Sequence, residues 1–255
     1  MIEYSLVLAA VLFAFERVKP GSEVDSNAGW YVRAILINLL QLVVLVAGSL
    51  TWNAWFESFS LISLDEGLPP YVSGFLAYFI FTFLFYWWHR LKHNSNILWR
   101  VFHQLHHSPR RIEVLAANYL HPLDTASGLI LGSFICSTLL GLGVEGIAWY
   151  SLYLSCMSYL LHANITVPRW IGYIVQTPQM HRRHHEFGKH DSNYSDIVWW
   201  DMLFGTYENP KHPCKDCGFT KEREIKVWDM LACKDVHSTP FNQALQPTAK
   251  AAAER

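Results

Sequence analysis

Four apolar stretches of unequal length set the organisation of this chain. Residues 30–52 (WYVRAILINLLQLVVLVAGSLTW) carry one charge, Arg33, and exceed the ~20 residues that a bilayer requires. Residues 71–88 (YVSGFLAYFIFTFLFYWW) carry none and end in an aromatic belt of Tyr86, Trp87 and Trp88. Residues 127–161 form one apolar region of 35 positions. As a single helix it would run about 52 Å, too long for a ~30 Å hydrocarbon core. The region is interrupted by Gly141, Gly143, Glu145 and Gly146. This predicts two helices turning near 141–146, a hairpin that enters and leaves by the same face. Residues 2–15 are apolar but short, a marginal fourth span. The pattern predicts an all-α integral membrane bundle over residues 1–237. The Ala-, Gln- and Pro-rich stretch 238–255 reads as a disordered tail.

Composition sharpens the membrane reading. The chain is 51% hydrophobic and only 16% charged, well below the quarter typical of a soluble domain. Its 11 tryptophans suit membrane interfaces. A formal net charge of −1 gives no reason to expect a nucleic-acid partner. The opening Met1-Ile2-Glu3-Tyr4 lacks the basic region of a cleaved signal peptide, so the N-terminus is expected to be retained. Residues 53–70 hold Glu57, Asp65 and Glu66 but no Lys or Arg, whereas 89–125 hold Arg90, Lys92, Arg100, Arg110 and Arg111. The positive-inside rule then puts the second segment in the cytoplasm and the first outside. The hairpin returns residues 162–185 to the cytoplasmic side.

Chemistry is concentrated in three histidine clusters: His89 and His93 (HxxxH), then His103, His106 and His107 (HxxHH), then His181, His184 and His185 (HxxHH). These clusters hold eight of the chain's 13 histidines. On an α-helix, residues three and four apart share a face, so each cluster can offer at least two imidazoles to one point. Eight converging imidazoles exceed what one ion needs, and two metals are the natural reading. The clusters flank the apolar runs and all fall on one side of the predicted membrane, as a shared site demands. The chain lacks the HExxH of zinc proteases and the ExxH pairs of ferritin-like di-iron proteins.

At these residues the chain resembles the fatty acid hydroxylase/sterol desaturase superfamily of integral membrane di-iron enzymes. The flanking segments WWHRLKHNSNILWRVFHQLHHSPRRIEVLAANYLHP (87–122), LLHANI (160–165), TPQMHRRHH (177–185) and NYSDIVWWDMLFGTY (193–207) follow in that family's order. The resemblance covers roughly residues 70 to 210. It implies an all-histidine pair of irons on a cytoplasmic helical cap, with dioxygen as co-substrate. It also implies a lipid substrate drawn from the membrane. His162 and His121 match positions where the family carries histidine, and join the eight as expected ligands. Pro122 argues against a helix beginning beside His121. No haem motif or Cys-rich iron–sulfur pattern is present. Electrons are therefore expected from a separate partner of reductase, cytochrome or ferredoxin type.

Other polar residues admit two readings. Asp191, Asp196 and Asp201 could orient ligands of the third cluster or cap helices; Asn118 and Asn164 stand near expected ligands. The stripe Tyr78, Phe79, Phe81, Phe83, Phe85 and Tyr86 could wall a lipid channel or pack against neighbouring helices. His190, His212 and His237 are expected on the surface. Cys214, Cys217, Cys233 and His237 read formally as CxxC…CxxxH, a pattern a structural zinc could use. The helical look of the intervening segment argues against it. Cys136 and Cys156 are expected in packing roles.

Three functions remain open on the residues alone. The first is an oxygen-dependent lipid hydroxylase or desaturase. The second is a zinc-dependent membrane metallohydrolase. The third is a non-catalytic lipid-binding membrane protein.

Overall fold

The computed structural model describes residues 1–24, 28–211, 214 and 216–237. The segment 238–255, expected to be a disordered tail, lies outside the described residues, as does His212. Every named element among the described residues is a helix; there is no named strand and one isolated bridge between Glu186 and Cys217.

Among the described residues, three segments are long and apolar enough to cross a membrane: Ala28–Phe56, Pro70–Asn94 and Pro122–Leu139. The first comprises α2 (Ala28–Leu50) and the short α3 (Trp52–Phe56). The second is α4 (Pro70–Asn94). The third is α5 (Pro122–Ser133) with its π-helical continuation Phe134–Leu139. The N-terminal helix α1 (Ile2–Val18) has 17 residues and is not one of the three. The fold is that of an integral membrane helical bundle.

Local sequence explains the boundaries. Pro70 occupies the first turn of α4, where its missing N–H costs nothing, and the helix ends at extended Ser95, whose Oγ accepts from Leu98 N. The long apolar region turns at residues 140–143, as its glycines predict. Gly141 sits at φ +58°, a left-handed conformation that favours glycine. Asp65 receives the Gly143 N–H and the Ser73 hydroxyl, tying the 57–69 loop to this turn. The returning helix α6 (Val144–His162) packs along α4. It carries Glu145, three tyrosines and three serines, which explains why it falls short of a free-standing span. Between α4 and α6 lies a core of Ala77, Tyr78, Phe81, Ile135 and Tyr150. A second core joins Trp30, Ala34 and Ile37 of α2 to Trp99, Leu105, Tyr119 and Met230 beyond the spans. α1 packs on α6 through Leu12, against Val114, Ala163 and Ile165.

Histidine-bearing segments gather at one end. α4 supplies His89 and His93 in its last two turns. The 99–103 stretch is π-helical, closed by Gln104 N donating to Trp99 O at 2.7 Å. A short helix α7 (Pro178–His184) is capped by Thr177, whose hydroxyl accepts from Met180 N. Another, α8 (Val198–Phe204), ends at left-handed Gly205.

Candidate metal centre

Nine histidines converge into two adjoining groups. His89, His93, His103, His107 and His184 form one, and His106, His162, His181 and His185 the other; within each, one nitrogen per ring lies within 4.8 Å of every other. All nine are buried. Both HxxHH clusters divide between the groups: His103 and His107 go to the first and His106 to the second. His184 likewise parts from His181 and His185. The groups meet where the His107 and His185 rings stack at 4.1 Å.

Hydrogen bonds fix four tautomers, because a carbonyl can only accept. His89 Nδ1 donates to Tyr194 O at 2.8 Å, His184 Nδ1 to Ser192 O at 2.7 Å and His162 Nδ1 to Ser158 O at 2.8 Å. His103 Nδ1 donates to Asp124 Oδ2 at 2.8 Å. Each Nε2 of these four is therefore a bare lone pair. Yet His89 Nε2 and His103 Nε2 face each other at 2.8 Å, and His162 Nε2 stands 2.9 Å from His181 Nε2. The two lone pairs of His89 and His103 at that distance repel unless a cation lies between or beside them. His184 Nε2 and both ring nitrogens of His107 are buried with no hydrogen-bond partner. Such a donor set fits metal ions, and each group could hold one.

Electrostatics keep the set ligand-ready. Burial holds His103, His106, His107, His181 and His185 well below the usual imidazole range and takes His184 down to about 4. Neutral rings are what metal binding requires. Around them, Asp201 accepts Tyr194 N at 2.8 Å, Ser195 N at 3.0 Å and the Thr206 hydroxyl at 2.7 Å. It thus fixes the loop whose Tyr194 carbonyl orients His89. Asp196 instead accepts from Tyr78 at 3.2 Å. Asn164 Oδ1 receives Ser22 and Arg182.

Several expectations need correction. His121 stands outside both groups. Its Nδ1 accepts Leu123 N at 3.2 Å as the N-cap of α5, and its Nε2 donates to Leu231 O at 3.2 Å. Pro122 does not prevent that helix, because proline is favoured at the first helical position. His190 is buried, not on the surface; its ring lies 4.8 Å from His107 and 5.1 Å from Trp99, and burial takes it down to about 3. His237 is half-buried over Phe219 at 4.4 Å. The formal zinc pattern does not assemble. Cys214 and Cys217 pack with Ile112, whereas Cys233 sits beside His121, and no cysteine joins a metal-competent group among the described residues. Of the two readings of the α4 aromatics, packing is what the ring contacts show: Phe81 stacks on Phe85 at 5.2 Å and Phe83 meets Trp200 at 4.9 Å.

Sequence reasoning passed over Lys92 and Asp124. Lys92 Nζ and Asp124 Oδ1 form a buried ion pair at 2.7 Å beside His103. The signal was available: both are charges within segments long and apolar enough to span a membrane, where a charge marks a functional site by default.

Comparison with known proteins agrees with this geometry. The fatty acid hydroxylase family model matches residues 74–206. An ornithine lipid hydroxylase (OlsE) of Rhizobium tropici is 35% identical over 57% of this chain and 45% of its own. Human alkylglycerol monooxygenase is 30% identical over 60% of this chain and 34% of its own. A sphingolipid C4-hydroxylase (sur2) of Schizosaccharomyces pombe is 29% identical over 56% and 50%. The matched regions thus span half or less of these relatives. No solved structure matches significantly. The match covers half of the chain and includes every member of both histidine groups, and the chain belongs to the fatty acid hydroxylase family.

Proposed function

We propose that this protein is a membrane oxidoreductase that uses two irons, dioxygen and external electrons to hydroxylate or desaturate a C–H bond of a lipid. The observation that carries the proposal is the pair of buried histidine groups with opposed lone pairs, 2.8 Å apart at His89 and His103. His89, His93, His103, His107 and His184 would hold one iron, and His106, His162, His181 and His185 the other. Bound there, the irons supply the activation of dioxygen against an unactivated C–H bond.

The chain's own residues position and insulate. Five imidazoles on one side and four on the other leave room for a further ligand, as a catalytic site requires. Tyr194, Ser192 and Ser158 hold three rings in the lone-pair-inward tautomer through their carbonyls. Burial of all nine rings excludes bulk water from the centre. Hydroxylation adds one oxygen atom of O2 to the C–H bond and reduces the other to water, consuming two electrons and two protons. Those electrons come from a separate reductase, cytochrome or ferredoxin partner. The relatives named for ornithine lipids, alkylglycerols and sphingolipids favour a lipid with a polar head and long alkyl chains. Residues 1–237 would act as one multi-pass domain with the histidine end in the cytoplasm.

The test is elemental analysis of untagged protein from iron-replete cells, with oxygen uptake measured alongside lipid turnover. Close to two irons per chain and strict dependence on dioxygen and reductant are expected. Two zincs per chain, with turnover unchanged under argon, would make it a metallohydrolase instead.

A further inference from the structure

Behind the third histidine cluster, a short return of chain is bound to it by its backbone. Phe187 N donates to Asp216 O at 2.9 Å and Gly218 N to His185 O at 3.0 Å, flanking the bridge between Glu186 and Cys217. Phe219 N then donates to Ser108 O at 3.1 Å, next to His107. Gly218 takes φ +72° and passes so close to Pro109 that no Cβ would fit. This strap therefore backs both HxxHH clusters at once, and it contains Cys214 and Cys217. Their sulfurs are 3.4 Å apart, both residues are buried and both are free thiols.

We propose that Cys214 and Cys217 are a reversible dithiol–disulfide site whose state sets how firmly this strap holds the chain that follows the third histidine cluster. Geometry permits the bond, since the sulfurs need only close from 3.4 Å to about 2 Å. Access is provided as well: Cys217 lines an open cleft of about 310 Å³ together with Arg110, Phe187 and Lys221. Cys217 lines this cleft and Cys214 does not, which makes Cys217 the attacking sulfur; the contact with Cys214 favours its thiolate. Cys217 attacks one sulfur of a low-molecular-weight disulfide and releases one thiol. Cys214 then loses its proton, attacks the Cys217 sulfur and releases the second thiol. The pair gives up two electrons and two protons, and the oxidant is reduced to two thiols. In a reducing compartment such a pair rests as the dithiol and responds to oxidation transiently.

Closing the bond ties residues 214 and 217 together and removes freedom from the strap. The backbone bonds to Phe187 and His185 then open less often. Purified full-length protein in detergent, equilibrated with oxidised and reduced glutathione, tests this by peptide mass mapping and amide hydrogen exchange. Oxidised and reduced samples come from one preparation of fixed metal content, so the outcome is separate from the iron assignment. We expect an internal Cys214–Cys217 disulfide that reverses on reduction, with severalfold slower exchange in peptides covering 185–188 and 216–219. C214S should lose both responses while keeping the exchange of reduced wild type. Persistent glutathione adducts on Cys217 without the internal bond would overturn the proposal. So would a disulfide that leaves exchange at 185–188 unchanged. Wild type alone decides both points if C214S does not fold.

Discussion

Asp124 grips His103 from behind the metal centre, its Oδ2 2.8 Å from the ring Nδ1, while its Oδ1 is held by Lys92 Nζ at 2.7 Å. The carboxylate thus dictates which nitrogen of His103 carries the proton and turns Nε2 toward His89. Lys92 neutralises that carboxylate where no water can, being itself fully buried. Removing a group of this kind behind a ligand commonly costs 10–100-fold in metal affinity or activity. We therefore expect Asp124→Ala to lose metal from the His103 group by about that factor. Competition with a chelator reads it, and wild-type affinity in the variant would refute the positioning role.

Lys92→Met and Asp124→Asn each strand a buried partner, and breaking such a pair costs about 3–5 kcal/mol. The double variant leaves no unpaired charge and should be more stable than Lys92→Met alone. Thermal unfolding in detergent of the two single variants and the double measures the coupling. Simple additivity would mean that the two groups do not act as a unit.

Division of the HxxHH clusters gives a third prediction. Alanine at any of the nine grouped histidines should abolish turnover. His103→Ala and His106→Ala, only three residues apart, should each bring metal content from about two toward one, by emptying different positions. Adding the second substitution should leave almost none. A His103→Ala,His106→Ala variant that still holds one metal would argue against two separate groups. By contrast, His121→Ala should keep its metal and lose only its N-cap, about 0.5–2 kcal/mol.

The sequence made the histidine clusters, the spans and the glycine turn legible because each is written in local spacing. Division of the clusters was not, because it depends on the π-helical stretch before His103 and on which face of α7 meets α6. His121 misled by its neighbourhood: lying beside a histidine cluster does not show whether its ring nitrogens are already engaged. His190 misled in the opposite way, since a polar, glycine-containing segment that reads as exposed is folded over Trp99. Lys92 was read as one of a row of cytoplasmic charges, yet its partner, Asp124, is 32 residues away, too far along the chain for local spacing to show the pair.

Asp201 supplies a pH test that the histidines do not confuse. Burial raises its carboxyl to about 6 despite the three donors it faces. A carboxyl raised on folding adds stability that is complete below its unfolded value near 4 and is lost as pH rises through about 6. The advantage of wild type over Asp201→Asn should therefore shrink by about 2–3 kcal/mol between pH 4 and 7. Other titrating groups cancel in the difference. An advantage that grows over this range would mean that the three hydrogen bonds outweigh burial.

Topology can be tested at Gly67. α4 starts at Pro70, and His89 follows 19 residues later, a rise of about 28 Å that nearly matches the ~30 Å hydrocarbon core. On the proposed multi-pass reading, the 57–69 loop and the histidine centre lie at opposite membrane faces. That loop carries no Lys or Arg; its Asp65 is committed to Gly143 and Ser73. Gly67 has φ outside the left-handed region and no neighbour within 4 Å of an added Cβ, so a cysteine fits there without strain. Gly67→Cys in intact cells should react with a membrane-impermeant maleimide, while the five native cysteines, none of them exposed, give a low background in wild type. Protection of Gly67→Cys until lysis would invert the chain. The histidine centre would then face outward, away from any cytoplasmic electron donor.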